Sequence, residues 1–224
     1  PLREKKEYKY SDLGFYLMYP IVESLLSSKV EDYISDFYNK IEALRITYNP
    51  LDKFPLSVIV PTENDNYFRN QLIHGYVHDQ GASLFGGVGL HAGLFSNAID
   101  LMKLMQLFLD EGAYMHNQII SKKTINKFLS SPFSRRENRR GIVFDKPSIN
   151  PDEEGPTCDS ISLRSFGHSG FTGTLSWADP DEELIYIFLS NGRVYPSGNN
   201  TKLIDKNIRT EIQKVIYKSI LSSL

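Results

Sequence analysis

Cysteine is all but missing from this 224-residue chain. The one present, Cys158, excludes an internal disulfide. It lies beside an acidic, turn-rich stretch with no basic neighbour or helix dipole to activate a thiol, so a catalytic cysteine is not expected. Long apolar runs are also missing: none approaches the roughly 20 residues that cross a bilayer, so no transmembrane segment is expected. Positive charge is not in excess. With 25 Lys and Arg against 27 Asp and Glu the net charge is −2, which argues against nucleic acid as a partner. The one basic cluster, Arg135-Arg136 and Arg139-Arg140, is split by Glu137 and Asn138 and reads as a solvated loop. The start, Pro1-Leu2-Arg3-Glu4, has neither a methionine nor a signal sequence, which predicts that the chain is cut from something longer.

Several cofactor and metal signatures are missing as well. Residues 81–97 hold five glycines but neither Gly-Lys-Ser/Thr nor GxGxxG, so no phosphate loop is expected there and no cofactor is implied. His74 and His78 stand four apart, the spacing of two ligands on one helix. Gly75 disfavours that helix and no glutamate follows His74, so a metal hydrolase built on this pair is the weaker alternative and no metal ligands are assigned.

What is present reads as alternating helices and loops, then strands. Apolar residues at 13, 17, 21 and 25 keep a helical period after Ser11 or Asp12 as N-cap, with Pro20 expected to bend the helix. A second amphipathic helix fits 30–41. Residues 42–80, rich in proline and asparagine, read as irregular surface loops. Ser96 or Asn97 caps a strong helix from Ala98 to Leu109, and Ser121 caps a shorter one. Strands are predicted at 141–144, 163–166, 173–178 and 184–190, the last two joined by a turn at 179–183. A final amphipathic helix runs from Lys202 to Ser222 with Leu203, Ile204, Ile208, Ile212, Val215, Ile216 and Ile220 on its apolar side. The fold class is α+β: a mostly helical lobe over 1–140 and antiparallel strands with a terminal helix over 141–224, together one structural domain.

The chemistry concentrates in Phe166-Gly167-His168-Ser169-Gly170-Phe171-Thr172-Gly173-Thr174. Glycines mixed with hydroxyls and a histidine make a poor core and a good cleft wall, because glycine lets a ligand approach the backbone. His168, Ser169 and Gly170 are therefore expected to line a substrate cleft, with Phe171 and Thr172 beside them.

Tyr10-Ser11-Asp12 at a helix start and His168-Ser169-Gly170 on a strand edge resemble the second and third motifs of the serine hydrolases that include penicillin-binding proteins and β-lactamases. In the branch with class C-type β-lactamases, D-alanyl-D-alanine peptidases and esterases, these motifs are Tyr-x-Asn and Lys-Thr-Gly or His-Thr-Gly. Gly89-Leu90-His91-Ala92-Gly93-Leu94-Phe95-Ser96-Asn97 ahead of a helix resembles a further segment of that branch, as do the paired strands from Asp179 to Asn191. The likeness is greatest to the β-lactamase-like domain at the C-terminus of some bacterial family 3 glycosidases.

The resemblance implies a β-lactamase/transpeptidase-like fold and hydrolysis of an amide or ester through an acyl-serine. Tyr10 would serve as a phenolate stabilised by nearby positive charge, and Asp12 would orient a substrate amide or the catalytic lysine. His168 and Ser169 would bind a carboxylate or developing charge, with an oxyanion donor from the backbone beside Gly170. It further implies an extracytoplasmic, periplasmic location, a peptidoglycan-like or small acyl substrate and a possible glycosidase domain in the parent protein. Two departures stand out. No lysine has a serine three residues before it, so the Ser-x-x-Lys nucleophile segment and the N-terminal strands are expected upstream of Pro1. Asp12 stands where asparagine is usual. A non-catalytic binding or scaffolding domain on the same fold is therefore the second reading, and an exposed sheet edge could support a homodimer.

Overall fold

The computed structural model describes residues 8–133, 138–150, 155–198 and 200–221. Helix α1 (Leu13–Leu26) begins where the Ser11 hydroxyl accepts the Leu13 amide at 3.3 Å, and it runs through Pro20 to a left-handed Ser27. Asp12 holds the N-cap position, but its carboxylate caps nothing. The helical period is as expected and its direction is not. Leu13, Leu17, Ile21 and Leu25 face solvent, while Tyr19 and Val22 on the other side pack against a cluster of Val30, Tyr48 and Val88. Tyr16 and Tyr19 also meet the Phe85 ring, at 5.6 and 6.0 Å between centroids, so most of the inner contact is aromatic and the Leu13–Leu25 ridge is left outside.

Helix α2 (Val30–Lys40) buries Val30 and Tyr38, and Tyr38 joins Ile41, Ala43, Ile46 and Leu107 in a second cluster. The segment expected to be irregular contains an antiparallel hairpin, β1 (Pro61–Asp65) and β2 (Gln71–His74). Asp65 closes it. Its buried carboxylate accepts the amides of Tyr67, Phe68 and Arg69 and the Arg69 guanidinium at 2.8–2.9 Å. The strands themselves, Pro-Thr-Glu-Asn-Asp and Gln-Leu-Ile-His, are short and mostly polar, so they leave no period-2 signal to read.

After the short α3 (Gln80–Leu84) comes α4 (Ala98–Leu109), capped by Asn97, whose side chain accepts the Asp100 amide at 2.8 Å. A two-residue ribbon, β3 (Ala113–Tyr114) and β4 (Asn117–Gln118), leads to α5 (Lys122–Leu129), capped by Ser121 as expected. Residues 141–144 do not form the predicted strand; only Asp145 pairs, antiparallel, with Gly167.

The main sheet is antiparallel: β5 (Phe166–Ser169), β6 (Leu175–Asp179) and β7 (Leu184–Phe188). Strand alternation divides its two faces. Ala178, Phe166, Ile185 and Ile187 face Met105 and Phe108 of α4. Leu175, Trp177 and Tyr186 face Tyr217 of α7 (Ile208–Leu221). The terminal helix is broken, with α6 (Lys202–Asp205) separated from α7 near a left-handed Asn207. Its buried side carries Gln213 and Tyr217, whereas Ile212 and Val215 are exposed. Polar anchoring decides this register: the Tyr217 hydroxyl donates to Asp179 at 2.6 Å, and Gln213 accepts the Cys158 amide at 2.8 Å.

Candidate active site

The cleft lies where the start of α1 meets the end of β5. Register places His168 opposite Ser176, on the sheet face that looks toward α4. Tyr10, just ahead of α1, brings its ring to 6.4 Å from the imidazole, centroid to centroid, at a 43° tilt. The tyrosine and the histidine expected to face one another are thus brought together. Asp12 is half-buried one turn away, and its carboxylate accepts no hydrogen bond from the described residues.

A third group, not anticipated, completes the arrangement. Arg140 donates from Nη1 to His168 Nε2 at 2.8 Å, and its guanidinium lies 5.2 Å from the centre of the Tyr10 ring. Nε of Arg140 is 3.4 Å from Asp145, whose other contacts include Arg139 Nε at 2.9 Å. Asp145 is itself fixed by its backbone pair with Gly167, the residue before His168. Arg139 and Arg140 are thus bound into the cleft rather than solvated; Arg135 and Arg136 lie outside the described residues. Sequence offers no signal for this, because a basic residue that folds onto a distant strand looks the same as one that does not.

The electrostatics differ from the sequence expectation for Tyr10. Partial burial pushes its phenol above the ordinary tyrosine value, and Asp12 adds to this, while Arg140 pulls the other way without reversing it. The group is therefore a phenol at neutral pH in this state, suited to donate a proton. The imidazole of His168 uses both nitrogens: Nδ1 faces the Ser169 carbonyl at 2.8 Å, and Nε2 faces Arg140.

The remaining predicted residues form the rim. Ser169 is half-buried on the face opposite to His168, by strand alternation, and its hydroxyl bonds to none of the described residues. The amide of Gly170 is committed to the Thr174 carbonyl at 2.8 Å, so it is no oxyanion donor. The neighbouring Phe171 amide has no acceptor among the described residues. The Phe171 ring is exposed at the tip, with His78 stacked at 5.0 Å and the Arg193 guanidinium 4.1 Å from its centre. Thr172 is half-buried beside it. Glycine is required at 173, where φ is +123° and a Cβ would meet Leu203 at 2.8 Å.

The two spaced histidines do not converge. His74, on β2, points its Nε2 at the Ile59 carbonyl, 2.5 Å away, and His78 sits 3.4 Å from Glu63. Among the described residues no three His, Cys, Asp or Glu side chains are grouped to hold a metal ion. His91 is buried against Asp79, which also caps α3, with Tyr16 edge-on at 4.7 Å. Cys158 is buried, and burial raises its thiol above the ordinary value, against nucleophilic use.

Comparison with known proteins gives this geometry a context. The family model described as Beta-lactamase matches residues 3–206. A protein of Escherichia coli O157:H7 named "Putative D-alanyl-D-alanine carboxypeptidase" is 33% identical over 197 residues, covering 81% of this chain and 44% of the relative. One of the same name from Salmonella typhi is 30% identical over 205 residues, covering 85% and 46%. The chain thus spans less than half the length of these relatives. A crystal structure of a β-lactamase from Mycobacterium bovis superposes with a TM-score of 0.62 at 15% identity, covering 95% of this chain and 65% of that one. The fold is therefore that of the β-lactamases, α+β as expected.

Proposed function

From the premise that this chain belongs to the β-lactamase family, we propose that its cleft is the acid–base and oxyanion side of a serine acyl hydrolase. The observation that carries the reading is the meeting of Tyr10 and His168, from distant parts of the sequence, with a backbone amide at Phe171, shortly after His168 in the chain, that has no acceptor among the described residues. In the proposed reaction the lysine that accompanies the serine takes the hydroxyl proton as the serine oxygen attacks an amide or ester carbonyl, and the Phe171 amide steadies the oxyanion. The Tyr10 phenol protonates the leaving group as the C–N or C–O bond breaks, and water then hydrolyses the acyl-serine to free the serine again. Asp12 orients the substrate or the lysine that accompanies the serine. Neither partner is supplied by a Ser-x-x-Lys segment within this sequence, so the reaction belongs to a longer parent protein. A D-alanyl-D-alanine peptide, a smaller ester or a β-lactam would fit this chemistry, in an extracytoplasmic setting. The relatives' names point the same way.

The missing Ser-x-x-Lys favours one alternative, a binding or scaffolding domain that keeps the cleft without the chemistry, attached to a glycan- or wall-processing protein and dimeric through its sheet edge. The two separate in one experiment. The parent protein is incubated with a fluorescent penicillin and with a nitrophenyl ester, and a covalent adduct is sought by intact mass. An adduct lost on replacing the serine, and formed about 100-fold more slowly in Tyr10→Phe, supports the hydrolase. Saturable binding with no adduct and no ester turnover refutes it in favour of the binding module. The 224-residue chain alone is expected to turn over neither compound.

A further inference from the structure

We infer that Arg140 is a positioning residue that locks His168 in its Nδ1–H tautomer and so removes the imidazole from proton transfer. The inference rests on the donor and acceptor inventory of three groups. A guanidinium has only N–H donors and does not lose its proton in proteins, so whatever it bonds must accept. Nη1 of Arg140 is 2.8 Å from Nε2 of His168, which makes Nε2 the lone-pair nitrogen. The Ser169 carbonyl can only accept, and it is 2.8 Å from Nδ1, which makes Nδ1 the protonated one. One tautomer satisfies both contacts, and the other satisfies neither.

Arg140 is itself held in place. Its Nε lies 3.4 Å from Asp145, a side chain only 4% exposed, and Asp145 is hydrogen-bonded in both directions to the backbone of Gly167 at 2.8 and 3.1 Å. The backbone amide of Arg140 is bonded to Asn138 Oδ1 at 3.0 Å. The guanidinium therefore reaches His168 from a loop that is pinned to the same strand. It also lies against the Tyr10 ring, so one residue spaces the two aromatic groups of the cleft.

The consequence for chemistry follows from the occupied lone pair. While Arg140 is in place, His168 can neither accept a proton at Nε2 nor present an N–H toward a ligand, and proton transfer falls to Tyr10. This last step rests on the hydrolase reading; the tautomer does not.

The chain labelled with 15N in its five histidines allows a direct test by long-range proton–nitrogen correlation at mildly alkaline pH, with His168→Phe assigning the signal. Wild type is expected to show His168 with Nδ1 protonated and Nε2 bare, and Arg140→Met to shift population toward Nε2–H while the other four histidines stay put. Arg140→Lys, which keeps a cationic donor, is expected to restore the wild-type pattern. A wild-type His168 protonated at Nε2, or an Arg140→Met pattern identical to wild type in a folded protein, overturns the inference. If Arg140→Met loses its fold, His168→Phe reads the same contact from the other side. The Arg140 Nη signals are expected to move while Nε stays held by Asp145, and failure of the Nη signals to move overturns the inference equally. In the parent protein, Arg140→Met is expected to slow acylation roughly 10–100-fold, with Lys recovering most of it. Absence of acylation in wild type would count against the hydrolase reading alone.

Discussion

Gly93 has φ +121°, and a Cβ there would stand 2.4 Å from the Gly87 carbonyl oxygen and 3.0 Å from the Tyr48 ring. Both obstacles are well fixed, since the Tyr48 hydroxyl donates to Gly89 across the same loop at 2.8 Å. Gly93→Ala is therefore expected to destabilise the protein by about 2–4 kcal/mol, read as a shift in the denaturant midpoint at constant slope. A change below about 0.5 kcal/mol would mean the loop relaxes freely. The residues that proved legible in the sequence were of this kind, or rare in type: glycines that only a tight loop needs, and a tyrosine and a histidine in chemically suggestive settings. Arg140 was not legible. Its meaning comes from an acceptor 28 residues away and from an aspartate pinned to a strand, neither of which leaves a local trace.

At the scale of elements, period was readable and direction was not. Helix α1 repeats its aliphatic residues every four positions, yet Leu17 and Leu25 are 73% and 79% exposed. Leu17→Glu with Leu25→Glu is accordingly expected to change the melting free energy of this chain by no more than about 0.5 kcal/mol. Loss of several kcal/mol would show that the ridge is buried in solution. Helix α4 gives the contrasting case, because there both period and cap were legible and both were realised. Its cap is also coupled to the core: Asn97 accepts the Asp100 amide, and Asp100 accepts the Arg45 amide at 2.7 Å. Asn97→Ala is expected to cost about 1 kcal/mol, measured by chemical denaturation. The β1–β2 hairpin was invisible for a different reason. Its strands are short and mostly polar, Pro-Thr-Glu-Asn-Asp and Gln-Leu-Ile-His, so they carry no apolar alternation that a period search could find.

For the whole molecule, the titrating groups act with one sign on each side of neutrality. Hydrogen bonds from the Phe68 amide and Arg69 hold the Asp65 carboxyl well below its ordinary value of 3.8, against the opposing effect of burial. Burial alone would raise Asp179, but Ser162 and Tyr217 outweigh it and leave the group lowered; Asp79 is lowered in the same way by Ala82 and His91. Burial also lowers His78 from 6.5, only partly countered by Glu63. Each of these groups binds fewer protons folded than unfolded in acid, so stability falls as pH falls. The loss begins below about 6.5 with His78 and steepens below 3.8 with the three carboxylates. On the alkaline side burial raises the Cys158 thiol above 9.0 and Tyr38 to about 12, with Tyr48 and Tyr217 raised too, so the unfolded chain sheds protons first and stability falls above about 9, more steeply above 10. The melting temperature is therefore expected to form a plateau between about pH 7 and 9. The acid limb should be steeper below 3.8 than between 6.5 and 3.8. Tyr38→Phe should shallow the alkaline limb and leave the acid limb alone, since its hydroxyl sits in an apolar cluster. Calorimetric scans across pH 2–12 decide the matter: a melting temperature that rises on acidification from pH 7 to 3 would mean that the Asp65 and Asp179 networks are not formed in solution.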